Sequence, residues 1–542
     1  MFRVSLTIAL RSLAHAPMTG RIRAFSTAIF AVVFGALVSC SNAGEPDSTS
    51  ADFAPPNVLL ISLDTLRADH LSSYGYRLPT TPALDGLAAR GVRFDDVTVP
   101  TPKTWPAVAT MLTGASPRTT GVRLANRQLR EDLPVLPEIF AAAGYRTGGI
   151  VTNFNLLKQY GFGRGFDDYM EAWEEAWDVL HPESPLPEDP TERLKMLFSA
   201  GGMSVLFQAT DAKLVTDRAL DWMSSGGEEP SPFFLWLHYM DPHGPYDPPP
   251  GYRKLFDGEY PEQIVSLEEL HSPHLHTKKG SKTPVADLGF YKARYDREIR
   301  SLDDQLARLF DYLSERGLAA NTLVVVTADH GEALGTHGYY FEHGLQPYQE
   351  CARVPLIVAG AGCEAEGVPA GRTVEAPVGL IDVPPTVLEL AGLDVPESFE
   401  GQSLAALIRG EPGASAPANV FMESGDDRYV DRPMQLSVRQ GPWKLIYVRS
   451  AEDRRQLAGT TFELYNLKSD PDELVNLSED PEYADIVGKL FHELTVWQDM
   501  HPVGTGLSTE EFMKGLDPVA EETLRALGYL DFDKSGEAGS GR

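Results

Sequence analysis

Apolar and polar positions fall into blocks along this chain, and the blocks are of two kinds. Short, mostly apolar runs read as strands: residues 57–63 ending in Asp64 and 322–328 ending in Asp329 and His330, both buried, with 144–151, 233–238 and 355–358. Between them, apolar residues recur every three or four positions, the period of a helix with one buried stripe. Ala83, Leu84, Leu87 and Ala88 follow Thr81-Pro82 and stop at Gly91; Val215, Ala219, Trp222 and Met223 mark a second helix. Ile299, Leu302, Leu306, Leu309 and Leu313 mark a third, ending before Gly317. Residues 104–113, closed by Gly114, predict a further helix with Pro106 in its first turn and Thr104 at the N-cap. Helix leading into strand, repeated, predicts a mostly parallel α/β sheet. The acidic, Pro-bearing stretch 169–193 shows no period and reads as an insertion over the sheet edge, and 271–283 reads as a second insertion. From about Ala418 the texture changes to short strands, 435–439 and 443–448, and a helix over 481–497, a small antiparallel appendage.

In an open parallel sheet the carboxyl ends of the strands face one crevice, so terminal side chains far apart in sequence meet there. On that rule Asp64, Asp329 and His330 converge. Two carboxylates and an imidazole make a nest for one divalent cation, Ca, Mn or Zn. The strand 144–151 exits through Thr152, Asn153 and Asn155, and the strand 233–238 through His238, Asp241 and His243. Asp241 and His243 are candidates for a second cation; Asn153 and His343 are candidates for substrate or metal contact. A hydroxyl at a helix N-terminus faces the positive end of the dipole, so Thr104 suits an anionic ligand and a developing alkoxide, a simple cap being the alternative.

Composition narrows the partners. A chain of 542 residues holds one large domain and something smaller, and a net charge of -30 argues against nucleic acid. Arg3, Arg11, Arg21 and Arg23 precede an apolar run over 24–38 that is short for a membrane span, so residues 1–39 read as an export signal. Leu37-Val38-Ser39-Cys40 resembles a bacterial lipobox, which places a lipid anchor on Cys40 and the protein in the cell envelope, with Ser41 compatible with the outer membrane; an uncleaved anchor is the alternative. Residues 40–55 form a tether, 56–415 the main domain, 416–500 the appendage and 501–542 a tail. Of the remaining thiols, Cys351 sits against the apolar run 354–358 and reads as a small buried residue, with a pairing to Cys363 left open.

The stretches 57–76, 81–94, 104–121, 232–246, 322–355 and 463–473 resemble the sulfatase branch of the alkaline phosphatase superfamily, a resemblance that spans 56–529. It implies an alkaline-phosphatase-like α/β sandwich, with a large mostly parallel central sheet and a smaller C-terminal antiparallel sheet. It implies Asp64, Asp329 and His330 as metal ligands and Thr104 as a nucleophile touching the metal. His238 and His243 match contacts to the ester or its leaving group.

Departures from the family pattern carry chemistry of their own. Sulfatases convert a Cys or Ser in Cys/Ser-x-Pro-x-Arg to formylglycine, whereas this chain has Thr104-Trp105-Pro106-Ala107-Val108. The β-methyl of Thr104 bars that aldehyde, Val108 replaces the Arg, and Thr152 stands in the place of a sulfate-contacting Lys. A hydrated aldehyde sheds bound sulfate by elimination, whereas a Thr ester must be hydrolysed at its central atom. The expectation is a metal-dependent hydrolase or transferase acting through Thr104 on a phosphate-diester, phosphonate or phosphoglycerol ester of a small molecule, lipid or glycan. Sulfate ester hydrolysis and a non-catalytic surface lipoprotein are the two alternatives.

Overall fold

The computed structural model describes residues 55–502 outside the stretches 124–127, 227–230, 267–285, 364–369, 426–434 and 448–461 and most of 181–210. The expected export signal, Cys40, the tether up to residue 54, the insertion 271–283 and the tail from 503 lie outside the described residues.

In chain order the strands are β1 (Asn57–Leu63), β2 (Val92–Thr98), β3 (Arg146–Val151), β4 (Asp168–Glu171), β5 (Phe233–Tyr239), β6 (Thr322–Ala328), the hairpin β7 (Ala333–Leu334) and β8 (Tyr340–Glu342), β9 (Arg353–Gly360), β10 (Arg372–Val374) and β11 (Val378–Gly379). Nine of them form one sheet in the order β10-β2-β9-β6-β1-β5-β3-β4, with β11 also on β2. All neighbours run parallel except that β9 is antiparallel to both β2 and β6. The central strands β1, β5 and β6 are buried at every position, as expected of strands covered by helices on both faces.

Register decides what the crevice receives. Leu63 lies opposite Ala328 on one side and Tyr239 on the other, so Asp64 and Asp329 leave the sheet at the same level. Val151 and Ser62 both lie opposite His238, which brings the exit of β3 to that level as well.

Three expectations are corrected. The stretch after residue 169 is not a structureless insertion: β4 extends the sheet edge and a helix, Ala172–Leu180, follows it. Trp173, Ala176 and Trp177 are its buried stripe at helical spacing, hidden in the sequence among the acidic residues of the outer face. The helix expected from Ile299 starts earlier, spanning Leu288–Glu315, because the Asp287 carboxylate accepts from Gly289 N and caps it. Thr104 is the first residue of its helix, Thr104–Thr113, and not its N-cap; that place belongs to Lys103, which is extended and makes no side-chain cap.

The C-terminal appendage is a four-stranded antiparallel sheet in the order β12 (Val420–Ser424), β13 (Gln435–Gln440), β14 (Trp443–Tyr447) and β15 (Phe462–Asn466). Helix Ala484–Met500 packs Leu490, Leu494 and Trp497 against Leu436, Val438, Leu445 and Leu464. Both partners of a buried ion pair within this appendage also bond to the main body. Lys444 Nζ lies 2.6 Å from Glu473 Oε1 and donates to Pro347 O at 2.5 Å, while Glu473 Oε2 accepts from Gln349 N at 2.5 Å. Cys351 and Cys363 are both buried and are not joined to one another.

A buried pair is costly to break from one side, because the surviving charge stays in the interior. Glu473→Met is expected to destabilise the protein by about 3–5 kcal/mol in denaturant unfolding. Lys444→Met combined with Glu473→Met is expected to cost clearly less than that single change, and equal costs would show that the charges are not coupled.

Candidate active site

Helix Thr104–Thr113 is buried along its whole length, so its first residue is held by packing. Thr104 is 3% exposed and its Oγ1 lies 3.3 Å from His330 Nε2. As the first helical residue its hydroxyl does not bond to the backbone as a cap would, and it stands at the positive end of the helix dipole.

Around it stand three buried side chains that converge from three strand ends. Asp64, His238 and Asp329 each present one ligand-type atom, all within 4.8 Å of one another. His238 Nε2 is 3.4 Å from Asp64 Oδ2, and His330 Nε2 is 3.8 Å from Asp64 Oδ1 and 3.5 Å from Asp329 Oδ2. Asp64 Oδ1, Asp329 Oδ2 and His238 Nε2 are buried and have no hydrogen-bond partner. Orphaned buried polar atoms are rare, and two anionic ones beside an imidazole fit a divalent cation.

The surroundings aim these atoms. Asn153 Nδ2 donates to Asp64 Oδ2 at 2.7 Å, its amide oriented by Asn155, whose N and Nδ2 donate to Asn153 Oδ1 at 2.9 and 3.0 Å. Asp329 Oδ1 accepts from His330 N at 2.9 Å and from Thr65 N at 3.3 Å, which leaves Oδ2 facing inward. Thr65 makes that contact at a φ of 61°, a left-handed backbone that costs a β-branched residue on the order of 1–3 kcal/mol. His238 Nδ1 lies 2.9 Å from Ser62 Oγ, which itself donates to Leu237 O, and His330 Nδ1 lies 2.9 Å from Gly331 O. With Nδ1 engaged as a donor, each imidazole turns its Nε2 lone pair to the carboxylates.

Electrostatics agree with that arrangement. Burial, reinforced by the neighbouring Asp64 charge, pushes the Asp329 carboxyl well above the usual range. Burial also opposes the Asp64 charge, but the imidazoles of His243, His330 and His238 outweigh it and hold that carboxyl well below the usual range. Burial draws His330 down to about 4, so at neutral pH it is an uncharged ligand. Two facing carboxylates without a cation cannot both ionise cheaply.

A second group borders the first. His343 Nδ1 lies 3.2 Å from Glu332 Oε1, whose other oxygen accepts from Tyr246 Oη at 3.0 Å. The His343 ring centroid is 4.4 Å from that of His330 and 5.2 Å from that of His243, whose Nδ1 lies 2.6 Å from Gly244 O. Burial, followed by the Glu342 charge, pushes the Glu332 carboxyl well above its usual range.

The expected residues therefore meet in large part. Asp64, Thr104, Asp329, His330, His243, His343 and Asn153 line one place. His238, expected near a leaving group, is fully buried against Asp64 and joins the cation-facing atoms. Asp241 is not brought into the three-residue group, and among the described residues no second group of this kind forms beside it. Val108 is core, and Thr152 is buried with its hydroxyl on His238 O at 3.1 Å, so neither place supplies a cation. Sequence reasoning missed Glu332 and Lys103; both adjoin residues it did single out, and adjacency was the available signal.

A family model described as Sulfatase matches residues 56–393, and one described as N-sulphoglucosamine sulphohydrolase, C-terminal, matches 335–500. An N-acetylglucosamine-6-O-sulfatase of Bacteroides thetaiotaomicron is 24% identical over 531 residues, covering 85% of this chain and 88% of the relative. The multifunctional alkaline phosphatase superfamily protein PehA of Trinickia caryophylli is 27% identical over 508 residues, covering 82% and 95%. Among solved structures, a phosphonate monoester hydrolase of Agrobacterium radiobacter shares the fold with a TM-score of 0.62 at 23% identity, covering 82% of this chain and 96% of that one.

Opposed carboxylates give a test of the cation that needs no substrate. In chelator, Asp329→Asn is expected to be at least as stable as the unaltered protein, since it removes a buried like charge. With cation at 100 times its Kd the unaltered protein is expected to gain about 2.7 kcal/mol and the variant little, reversing the order. Metal analysis and thermal unfolding measure both; an order that does not change with cation would remove the site.

Proposed function

The chain belongs to the sulfatase family, and from that premise we propose that it is a metal-dependent phosphoester hydrolase, acting on phosphate diesters or phosphonate monoesters through Thr104. The observation that carries this reading is the Thr104 hydroxyl at the head of a buried helix, 3.3 Å from His330 Nε2 and beside two carboxylates with orphaned oxygens. Asp64, Asp329, His330 and His238 would hold the cation, which when bound lowers the pKa of a neighbouring hydroxyl and neutralises charge on the transferring group.

The residues divide the work as follows. Thr104 Oγ1 forms a bond to phosphorus as its proton passes to solvent, and the ester P–O bond breaks. His243, protonated at both ring nitrogens, gives its Nε2 proton to the departing oxygen, and burial, which lowers its pKa, makes it the stronger acid. Water then attacks phosphorus and gives its proton to His243, while the Thr104 P–O bond breaks and the hydroxyl regains a proton from solvent. The Nδ1 contact to Gly244 O fixes the His243 ring with Nε2 available for that transfer. A Thr ester requires this second attack because the β-methyl forbids an aldehyde, and that favours phosphorus over sulfur. A relative named as a multifunctional phosphatase-superfamily protein and a fold neighbour named as a phosphonate monoester hydrolase support the choice. Sulfate ester hydrolysis is the second reading, favoured by the relative named as a 6-O-sulfatase. The Cys40 lipobox supports a lipid-anchored protein of the cell envelope, with a lipid or glycan ester within reach.

The test is a side-by-side assay of aryl phosphodiester, phosphonate and sulfate esters. Thr104→Ala is expected to lower kcat by at least about 1,000-fold and Thr104→Ser to retain part of it. Turnover unaffected by Thr104→Ala would point to a non-catalytic fold with a contaminant, and faster sulfate than phosphate turnover would select the second reading. His243→Ala is expected to slow single-turnover release of an alkyl leaving group by about 100- to 10,000-fold but that of 4-nitrophenol little, since its leaving oxygen needs no proton. An equal loss on both would assign His243 to another role.

A further inference from the structure

Building on that reading, we propose that Lys103 is the residue that binds the non-bridging oxygens of the anionic ester, in place of the cations that the chain lacks at Val108 and Thr152. The site is crowded with acid: Asp64, Asp329, Glu332 and Glu342 all act on one another or on the same imidazoles. An anionic ester entering there needs positive charge from the protein as well as from a cation. Arg67 is committed elsewhere, gripping Asp69 through Nε and Nη2 and donating from Nη1 to Glu332 O at 3.1 Å.

Lys103 is placed differently. It directly precedes Thr104, so its side chain starts one residue from the hydroxyl that attacks. From an extended backbone (φ -147°, ψ 134°) it crosses to the loop behind His343, where Nζ donates to His343 O at 3.4 Å. That path exists because residue 344 is glycine. A Cβ there would come within 2.8 Å of Lys103 Cε and 2.9 Å of Cδ, and Gly344 also has a φ of 99° that other residues resist. The stem lies against Gly344, and the ammonium reaches the backbone of His343, whose ring borders those of His330 and His243. Lys103 is half-buried, so the head stays accessible to a ligand while the stem is screened. Its bond to His343 O is long, and a flexible stem with three donors can turn from a carbonyl to an oxyanion, which makes the stronger charge-assisted bond.

Inorganic phosphate serves as the probe, titrated calorimetrically into the cation-loaded full chain carrying Thr104→Ala, with cation content measured in parallel. Adding Lys103→Met is expected to weaken phosphate binding by about 10- to 100-fold with the cation retained, and adding Lys103→Arg by less than about 3-fold. In the Thr104 background, Lys103→Met is expected to raise KM for anionic esters far more than it lowers kcat. Unchanged phosphate affinity in Lys103→Met overturns the assignment, as does an Arg variant as weak as the Met variant, or no phosphate binding in the parent. If phosphate binding depends on Lys103 while no ester is turned over, the anion site stands and the hydrolase reading falls.

Discussion

Asp64 and Asp329 leave neighbouring parallel strands at the same level and end as two carboxylates sealed from water, with an oxygen of each unpaired. Much of the surrounding architecture follows from keeping them there. Neither can be moved out to solvent, because each continues a strand that is buried at every position and hydrogen-bonded on both sides. Like charges at that range in the interior oppose each other strongly, so one ionises easily and the other only with difficulty. A cation resolves the conflict, and the imidazoles of His238 and His330 complete a donor set suited to one.

The support is rigid where the chemistry requires it. Thr104 sits on a helix with no exposed face, and His238, His330 and Asn153 are each fixed by a hydrogen bond at the ring or amide atom that faces away from the cluster, Asn153 Oδ1 accepting from Asn155. Strained backbone at Thr65 completes the carboxylate's support. Such a site is positioned by scaffold packing and not by loop closure, which suits attack through a group that must lie within a fraction of an ångström of its target. The appendage sheet, bound to the body through Lys444 and Glu473, lies outside this group of ligands.

On the proposed reading, Thr104, Val108 and Thr152 leave a sulfatase scaffold with a different balance of charge. The cluster keeps its carboxylates, and positive charge would come from the residue before Thr104, along a path beside Gly344. The lysine and the hydroxyl stand on consecutive residues, so attack and anion binding would share one helix start.

The sequence by itself determined the local elements and the identity of most of the site. Runs such as 57–63, 233–238 and 322–328 are apolar at most positions, and a strand covered on both faces buries such a run at every position. The rule that ligands gather at strand ends then pointed to Asp64, Asp329 and His330 without knowledge of pairing. Tertiary structure alone decided the rest. Strand order, the reversal of β9 and the register that sets His238 opposite Ser62 and Val151 depend on contacts between segments more than a hundred residues apart. A one-residue slip would turn His238 to the other face of the sheet, so its place among the carboxylates was not legible in a local pattern. The helix at 172–180 was hidden by its acidic outer face, and the reach of Lys103 depends on a glycine 241 positions later that only the fold brings beside it. Local pattern reports which face of an element is buried; which partners meet on that face is fixed by long-range packing.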